Sequence, residues 1–247
     1  MNTETALFLV AGALAGGFIN GLSGTGMALF SIGFYLAVLD PARAVAVVAL
    51  MSILVGIQGL WVVRGALRAQ PGRALRFVIP GLVGVPLGVP LLDVIEAGTL
   101  RVTIAVILVF YGGYFAFRKT LPVFTRRTPK TDVCVGFVGG VLGGAAAISG
   151  AVLSMWVSLR PWSKAETRAV LQPFNVAVLA TTVMLLLFRG AYDARTFSAM
   201  AVTAPMVVVG AQIGIIVFRR LSDNAFRRLI ILMTLVLGLG IMVSEIA

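Results

Sequence analysis

Gly21-Leu22-Ser23-Gly24-Thr25-Gly26 interrupts an apolar run from Thr5 to Leu39, and Gly143-Gly144-Ala145-Ala146-Ala147-Ile148-Ser149-Gly150 interrupts a second from Val133 to Leu159. Glycine weakens a helix and tolerates the backbone angles of a break. Backbone that leaves the helix at membrane depth must be enclosed by protein or line a wet cavity, because lipid offers no hydrogen bonds. Corresponding interruptions in two halves of a chain are the pattern that marks a solute site in a membrane carrier. The sequence therefore predicts an all-α, polytopic membrane protein whose two broken segments form a binding site.

Composition agrees. Of 247 residues, 60% are hydrophobic and 12% charged, about half the charge of a soluble domain. Mean hydropathy is +1.04, and several segments approach the roughly 20 apolar residues that cross a bilayer. The net charge of +11 lies in short loops between spans, so a lipid bilayer is the expected partner and nucleic acid is not. A single cysteine, Cys134, excludes an internal disulfide and a cysteine metal cluster. No basic residue precedes the first apolar run, so that run is expected in the mature protein rather than in a cleaved signal.

The chain also resembles itself. Arg43-Ala44-Val45 returns as Arg168-Ala169-Val170, and Arg64-Gly65-Ala66 as Arg189-Gly190-Ala191, both 125 residues later; Pro80 and Pro205 share that offset. Such a register implies duplicated architecture. The expected division is an N-terminal repeat over 1–117, a basic linker over 118–131 and a C-terminal repeat over 132–247. Each repeat holds one broken segment and three spans, at 42–63, 77–92 and 100–117, then 165–188, 196–218 and 225–246.

Charge decides how the broken segments run. If each doubles back as a re-entrant hairpin and the linker is cytoplasmic, 16 of the 20 lysines and arginines fall inside, leaving Arg43, Arg101, Arg189 and Arg195 outside. A single strongly tilted crossing, the competing reading, leaves only 11 inside. The positive-inside rule favours the hairpin. Three crossings plus a hairpin turn the second repeat upside down relative to the first, the inverted-repeat plan of secondary transporters.

The chain has no histidine, and its nine carboxylates fall at span ends or in loops. Neither an acid–base pair nor a metal cluster is visible, so no enzyme and no cofactor is expected. What lies at depth is neutral and polar. Asn20, Ser23, Gly24, Thr25 and Gly26 surround the first break, Ser149 and Gly150 the second, and Gln172 and Asn175 lie on a following span. A helix restarting after a break offers uncapped N–H groups with about half an elementary positive charge, a ready cradle for an anion. These nine residues are the expected substrate site. For any one glycine taken singly, close helix packing is the simpler reading, as in Gly12/Gly16, Gly17/Gly21, Gly84/Gly88 and Gly136/Gly140. Arg43 and Arg168 read first as topology anchors at span starts, and second as attractors of anions to the vestibules.

The glycine-rich break near the start of each half, the Arg64-Gly65 and Arg189-Gly190 pairs and the prolines at 80 and 205 together resemble the TauE/SafE sulfite-exporter family over about residues 12–240. Ala147 and Ser149 stand where that pattern expects glycines. The resemblance implies a secondary transporter that moves sulfite, a sulfonate or a related small organic anion across a bacterial inner membrane by alternating access, with a proton or sodium as candidate coupling ion. A passive anion channel and a non-transporting structural membrane protein are the alternatives. Nothing in the sequence sets an oligomeric state.

Overall fold

In a computed structural model, the described residues are 3–94 and 128–246 together with 102, 105, 106, 109, 110, 112–114, 116, 124 and 125. Every regular element among them is an α-helix: α1 (Thr3–Ser23), α2 (Met27–Leu36), α3 (Pro41–Ala69), α4 (Pro71–Val94), α5 (Pro129–Ala146), α6 (Gly150–Ser158), α7 (Lys164–Phe188), α8 (Ala194–Arg220) and α9 (Asp223–Ile246). The expected span at 100–117 and most of the expected linker lie outside the continuously described residues. The linker's last three residues belong to α5, which opens with Pro129 at its first turn, where a missing N–H costs nothing.

Local chemistry sets several helix starts. Asp40 caps α3 by accepting from the Arg43 N–H. Ser163 and Glu166 form a reciprocal capping box at α7, and Asp193 caps α8 through the Thr196 N–H. Among the described residues five helices are long and apolar enough to cross a membrane: Thr3–Ser23, Arg43–Ala69, Pro71–Pro90, Lys164–Phe188 and Ala194–Arg220.

Both broken segments double back. Ser31 Oγ donates to the Gly12 carbonyl at 2.8 Å, and a Cβ on Gly12 would stand 2.7 Å from the Tyr35 ring; α2 thus runs antiparallel along α1. Trp156 Nε1 donates to Asp132 Oδ1 at 2.7 Å, which folds α6 back along α5. The arms are unequal. At 1.5 Å per residue, the 10 residues of α2 and 9 of α6 give only about 15 Å and 14 Å, roughly half a hydrocarbon core.

Each hairpin is seated on the other half of the chain. A Cβ on Gly17 would meet the Val207 carbonyl oxygen at 2.4 Å and one on Gly21 the Ala211 oxygen at 2.1 Å, so α1 lies parallel to α8 at backbone contact. Reciprocally, a Cβ on Gly136 would stand 2.5 Å from the Phe77 oxygen and one on Gly140 2.0 Å from the Gly81 oxygen, which places α5 along α4. Small residues at these positions are therefore required by packing. Helices α3 and α7 pack antiparallel, because Tyr192 reaches the Ala46 carbonyl while Gly59 abuts Gln172.

Charged ends gather at two faces. At one, Arg73 pairs with Glu166, Arg160 with Asp132 at 3.0 Å, Lys164 Nζ donates to the Phe218 carbonyl at 3.0 Å and Arg227 donates to the Ser158 carbonyl. At the other, Arg43 bridges Asp40 and Asp193.

Candidate functional site

The unwound segments are shorter than the small-residue runs that announce them. Helix α1 continues through Gly21, Leu22 and Ser23, leaving Gly24-Thr25-Gly26; α5 continues to Ala146, leaving Ala147-Ile148-Ser149. The remaining glycines serve packing. A Cβ on Gly143 would lie 2.3 Å from Val178 Cγ1, and one on Gly144 2.5 Å from the Val85 oxygen.

At the first tip, Gly24 (φ 87°) and Gly26 (φ 91°) are both left-handed, a region that glycine enters without strain. The Gly24 N–H donates to the Asn20 carbonyl at 2.8 Å. Ser23 Oγ lies 2.7 Å from the Thr25 carbonyl and 2.9 Å from that of Ile19; its single proton serves one at a time. At the second tip Ala147 takes the left-handed angle, with φ 55°. Its N–H returns to the Gly143 carbonyl and that of Ile148 to the Leu142 carbonyl, the closure that normally recruits glycine.

The short arms both begin at these tips without a side-chain cap, α2 after Gly26 and α6 after Ser149. The Ser149 hydroxyl instead donates to Asn175 Oδ1 at 2.6 Å. The first N–H groups of a helix have no intrahelical acceptor, so two amide-rich ends stand inside the molecule. They adjoin one another: a Cβ on Gly150 would stand 1.8 Å from Thr25 Oγ1. Between them is a cleft of about 30 Å³ lined by Ser23, Thr25, Gly26, Phe30, Gly150, Ala151, Ser154, Ile230, Met233 and Thr234. That is room for more than one water.

Four of the nine expected residues, Ser23, Thr25, Gly26 and Gly150, line the cleft. The other five do not line it. Asn20 is buried, with Nδ2 3.5 Å from the Ser52 carbonyl. Ser149 and Asn175 bond each other. Gly24 faces Gln172, whose Oε1 would lie 2.9 Å from an added Cβ. Gln172 Oε1 in turn accepts from Arg168 Nε at 3.2 Å.

Two features depart from the sequence reading. The third wall of the cleft comes from α9, through Ile230, Met233 and Thr234; the one legible signal was Thr234, a lone hydroxyl between Leu229 and Leu239. Arg168 is no surface anchor, being 0% exposed. Its guanidinium carbon sits 4.6 Å from the centre of the Phe218 ring.

The far face is closed by charge. Arg43 Nε donates to Asp193 Oδ2 at 3.1 Å, and Asp193 also accepts from the Thr196 N–H at 2.9 Å. These bonds, that of Arg43 foremost, hold the Asp193 carboxyl well below the ordinary carboxylate range. The Arg43 N–H bonded to Asp40 leads the causes that lower the Asp40 carboxyl as well. Beside them, burial pushes the Tyr192 phenol up to about 12; it stays protonated and donates to the Ala46 carbonyl at 3.2 Å.

A family model described as "Sulfite exporter TauE/SafE" matches residues 8–241. A protein of Cupriavidus necator named "Probable sulfite/organosulfonate exporter TauE" is 26% identical over 205 residues, which cover 81% of this chain and 79% of that protein. No solved structure matches the chain.

Proposed function

The chain belongs to the sulfite exporter TauE/SafE family, and from that premise we propose that it carries sulfite, a sulfonate or a related small organic anion across a bacterial inner membrane by alternating access. The observation that carries this reading is the meeting of two uncapped helix N-termini at one cleft, with Thr25 against Gly150. The uncapped amide N–H groups of the two helix starts supply donors, and no carboxylate lines the cleft, which suits a solute that brings its own negative charge.

In this proposal residues 1–117 and 132–247 are two halves of opposite orientation, joined by a cytoplasmic linker. The reciprocal seating of α1 on α8 and α5 on α4 supports it. So does the antiparallel pairing of α3 with its counterpart α7, since a two-fold relation that sets a helix antiparallel to its equivalent has its axis across the helices, in the membrane plane. Each face then acts as a gate: Arg43–Asp193 on one side, Arg73–Glu166 on the other.

The test is flux of labelled sulfite in proteoliposomes. Gly24→Val and Gly150→Val fold but lose at least ~10-fold in rate, the first through its left-handed angle and the second by driving a side chain into Thr25. Unchanged flux in both variants removes the site. Accumulation against the sulfite gradient, driven by an imposed proton or sodium gradient, is expected of a carrier; purely downhill flow would make the protein a channel instead.

A further inference from the structure

Arg168 lies on the second turn of α7 and is the largest of the wholly buried side chains. A guanidinium carries five N–H donors and keeps its charge at any physiological pH. Here only Nε is satisfied, by Gln172 Oε1 at 3.2 Å; Nη1 and Nη2 are buried without a hydrogen-bond partner among the described residues. No described carboxylate pairs with it. Glu166, two residues away, is held by Arg73 and by the Ser163 N–H; Asp132 is held by Arg160 and Trp156, and Asp223 accepts from the Lys164 N–H. The face of the Phe218 ring covers one side of the cation and offers its N–H groups no acceptor.

A buried charge without a counter-ion is costly, and proteins that keep one for structure alone give it a partner. Its surroundings are those of a ligand. Its Nε and Cγ lie 3.4 and 3.0 Å from where a Cβ of Gly24 would be, directly against the unwound tip of the first hairpin. Gln172 Nε2, on the amide that holds Arg168, is likewise buried and unpartnered. Several N–H donors thus converge at Gly24, the residue between Ser23 and Thr25, which line the cleft.

We propose that Arg168 is the charge-bearing ligand of the transported anion. Its Nη1 and Nη2 form a planar fork to two oxygens of a sulfite or sulfonate head group, Gln172 fixes the plane of the fork, and the glycines of the Gly24-Thr25-Gly26 tip let the anion and guanidinium approach. This rests on the transport reading and adds what the amide ends alone lack, a full positive charge to offset the anion's own cost of entering the bilayer. It also gives the specificity rule: the site selects for a negative, planar-forked oxygen pair rather than for shape.

The experiment uses the full-length protein in detergent or nanodiscs, with sulfite and methanesulfonate as ligands and dimethyl sulfone as the neutral isostere. Wild type is expected to show a rise in thermal midpoint with both anions and none with the sulfone. R168M, which removes an unpaired buried charge, is expected to keep or raise the ligand-free midpoint while anion affinity falls at least ~100-fold. R168K, which keeps the charge but not the fork, is expected to weaken binding by ~10-fold or more. The assignment is overturned if R168M keeps its anion response within about twofold, if R168K matches wild type, or if R168M lowers the ligand-free midpoint with the response intact. A wild type that neither binds nor carries these anions refutes the transport reading itself, whereas transport that survives in R168M refutes only the arginine's role.

Discussion

One missing methyl at Gly150 sets how closely the two hairpin tips meet. A Cβ there would stand 1.8 Å from Thr25 Oγ1 and 2.7 Å from Thr25 Cβ, inside any van der Waals contact. Gly150→Ala is expected to cost ~1–3 kcal/mol of stability by overpacking, and Thr25→Ala in the same chain to recover part of it. The coupling is read from a double-mutant cycle of thermal unfolding; additive losses would mean that the tips do not touch. Ala147 gives the opposite case. Its φ of 55° strains any residue with a Cβ, so Ala147→Gly should stabilise the fold by ~0.5–1 kcal/mol once the added freedom of the unfolded chain is deducted. The resemblance to the exporter family had marked that position as a glycine site; only the backbone angle shows that alanine here is tolerated under strain.

At the level of elements, the second hairpin is held shut at its open end. Asp132 and Arg160 are both about 5% exposed and pair at 3.0 Å. Trp156 Nε1 donates to the same carboxylate oxygen, and the Arg160 guanidinium stacks 4.6 Å from the Trp156 ring. Asp132→Asn leaves a buried guanidinium without its counter-charge and should cost about 3 kcal/mol. The double variant Asp132→Leu, Arg160→Leu should recover much of that, because the desolvation of both ions disappears together. Equal losses in the single and double variants would assign the stability to packing instead. The sequence placed this hairpin by counting basic residues, without a hint of which carboxylate closes it, since Asp132 and Arg160 are 28 residues apart and meet only when α6 has turned back. The same ignorance of chain reversal explains the overlong breaks. Glycines at 21, 143 and 144 read as helix breakers from composition, but a Cβ on each would stand 2.1–2.5 Å from an atom of a neighbouring helix, so they keep the helices thin.

Across the whole molecule, charge separates two faces and sets their response to acid. The Asp193 carboxyl is depressed in the folded protein, first by the Arg43 side chain and then by the Thr196 N–H. A group lowered on folding contributes its stability in full above its unfolded pKa, near 3.9 for an aspartate, and loses it as pH falls toward the folded value. The difference in unfolding midpoint between wild type and Asp193→Asn should therefore be flat from pH 8 to about 5 and shrink below about 4. A difference that disappears near pH 6 would mean that another group holds that face. Orientation is tested by thiol labelling in a Cys134→Ser background. Arg219→Cys, exposed at the end of α8, is expected to label from the cytoplasm and Arg195→Cys, exposed at its start, from outside; the reverse pattern would invert the proposed topology.

By itself, the sequence determined the class of molecule, its helical content, the two places where helices break and the neutral polar character of what lies there. Each of these follows from local properties: hydropathy, tiny residues and the absence of carboxylates and histidines from the apolar spans. Tertiary structure decided which sides of the tips face the cleft, that α9 walls it and that Arg168, which local position had read as a surface anchor, is enclosed. Burial is a sum over elements distant in the chain, so no window around residue 168 could show that Phe218 and Gly24 would close over it.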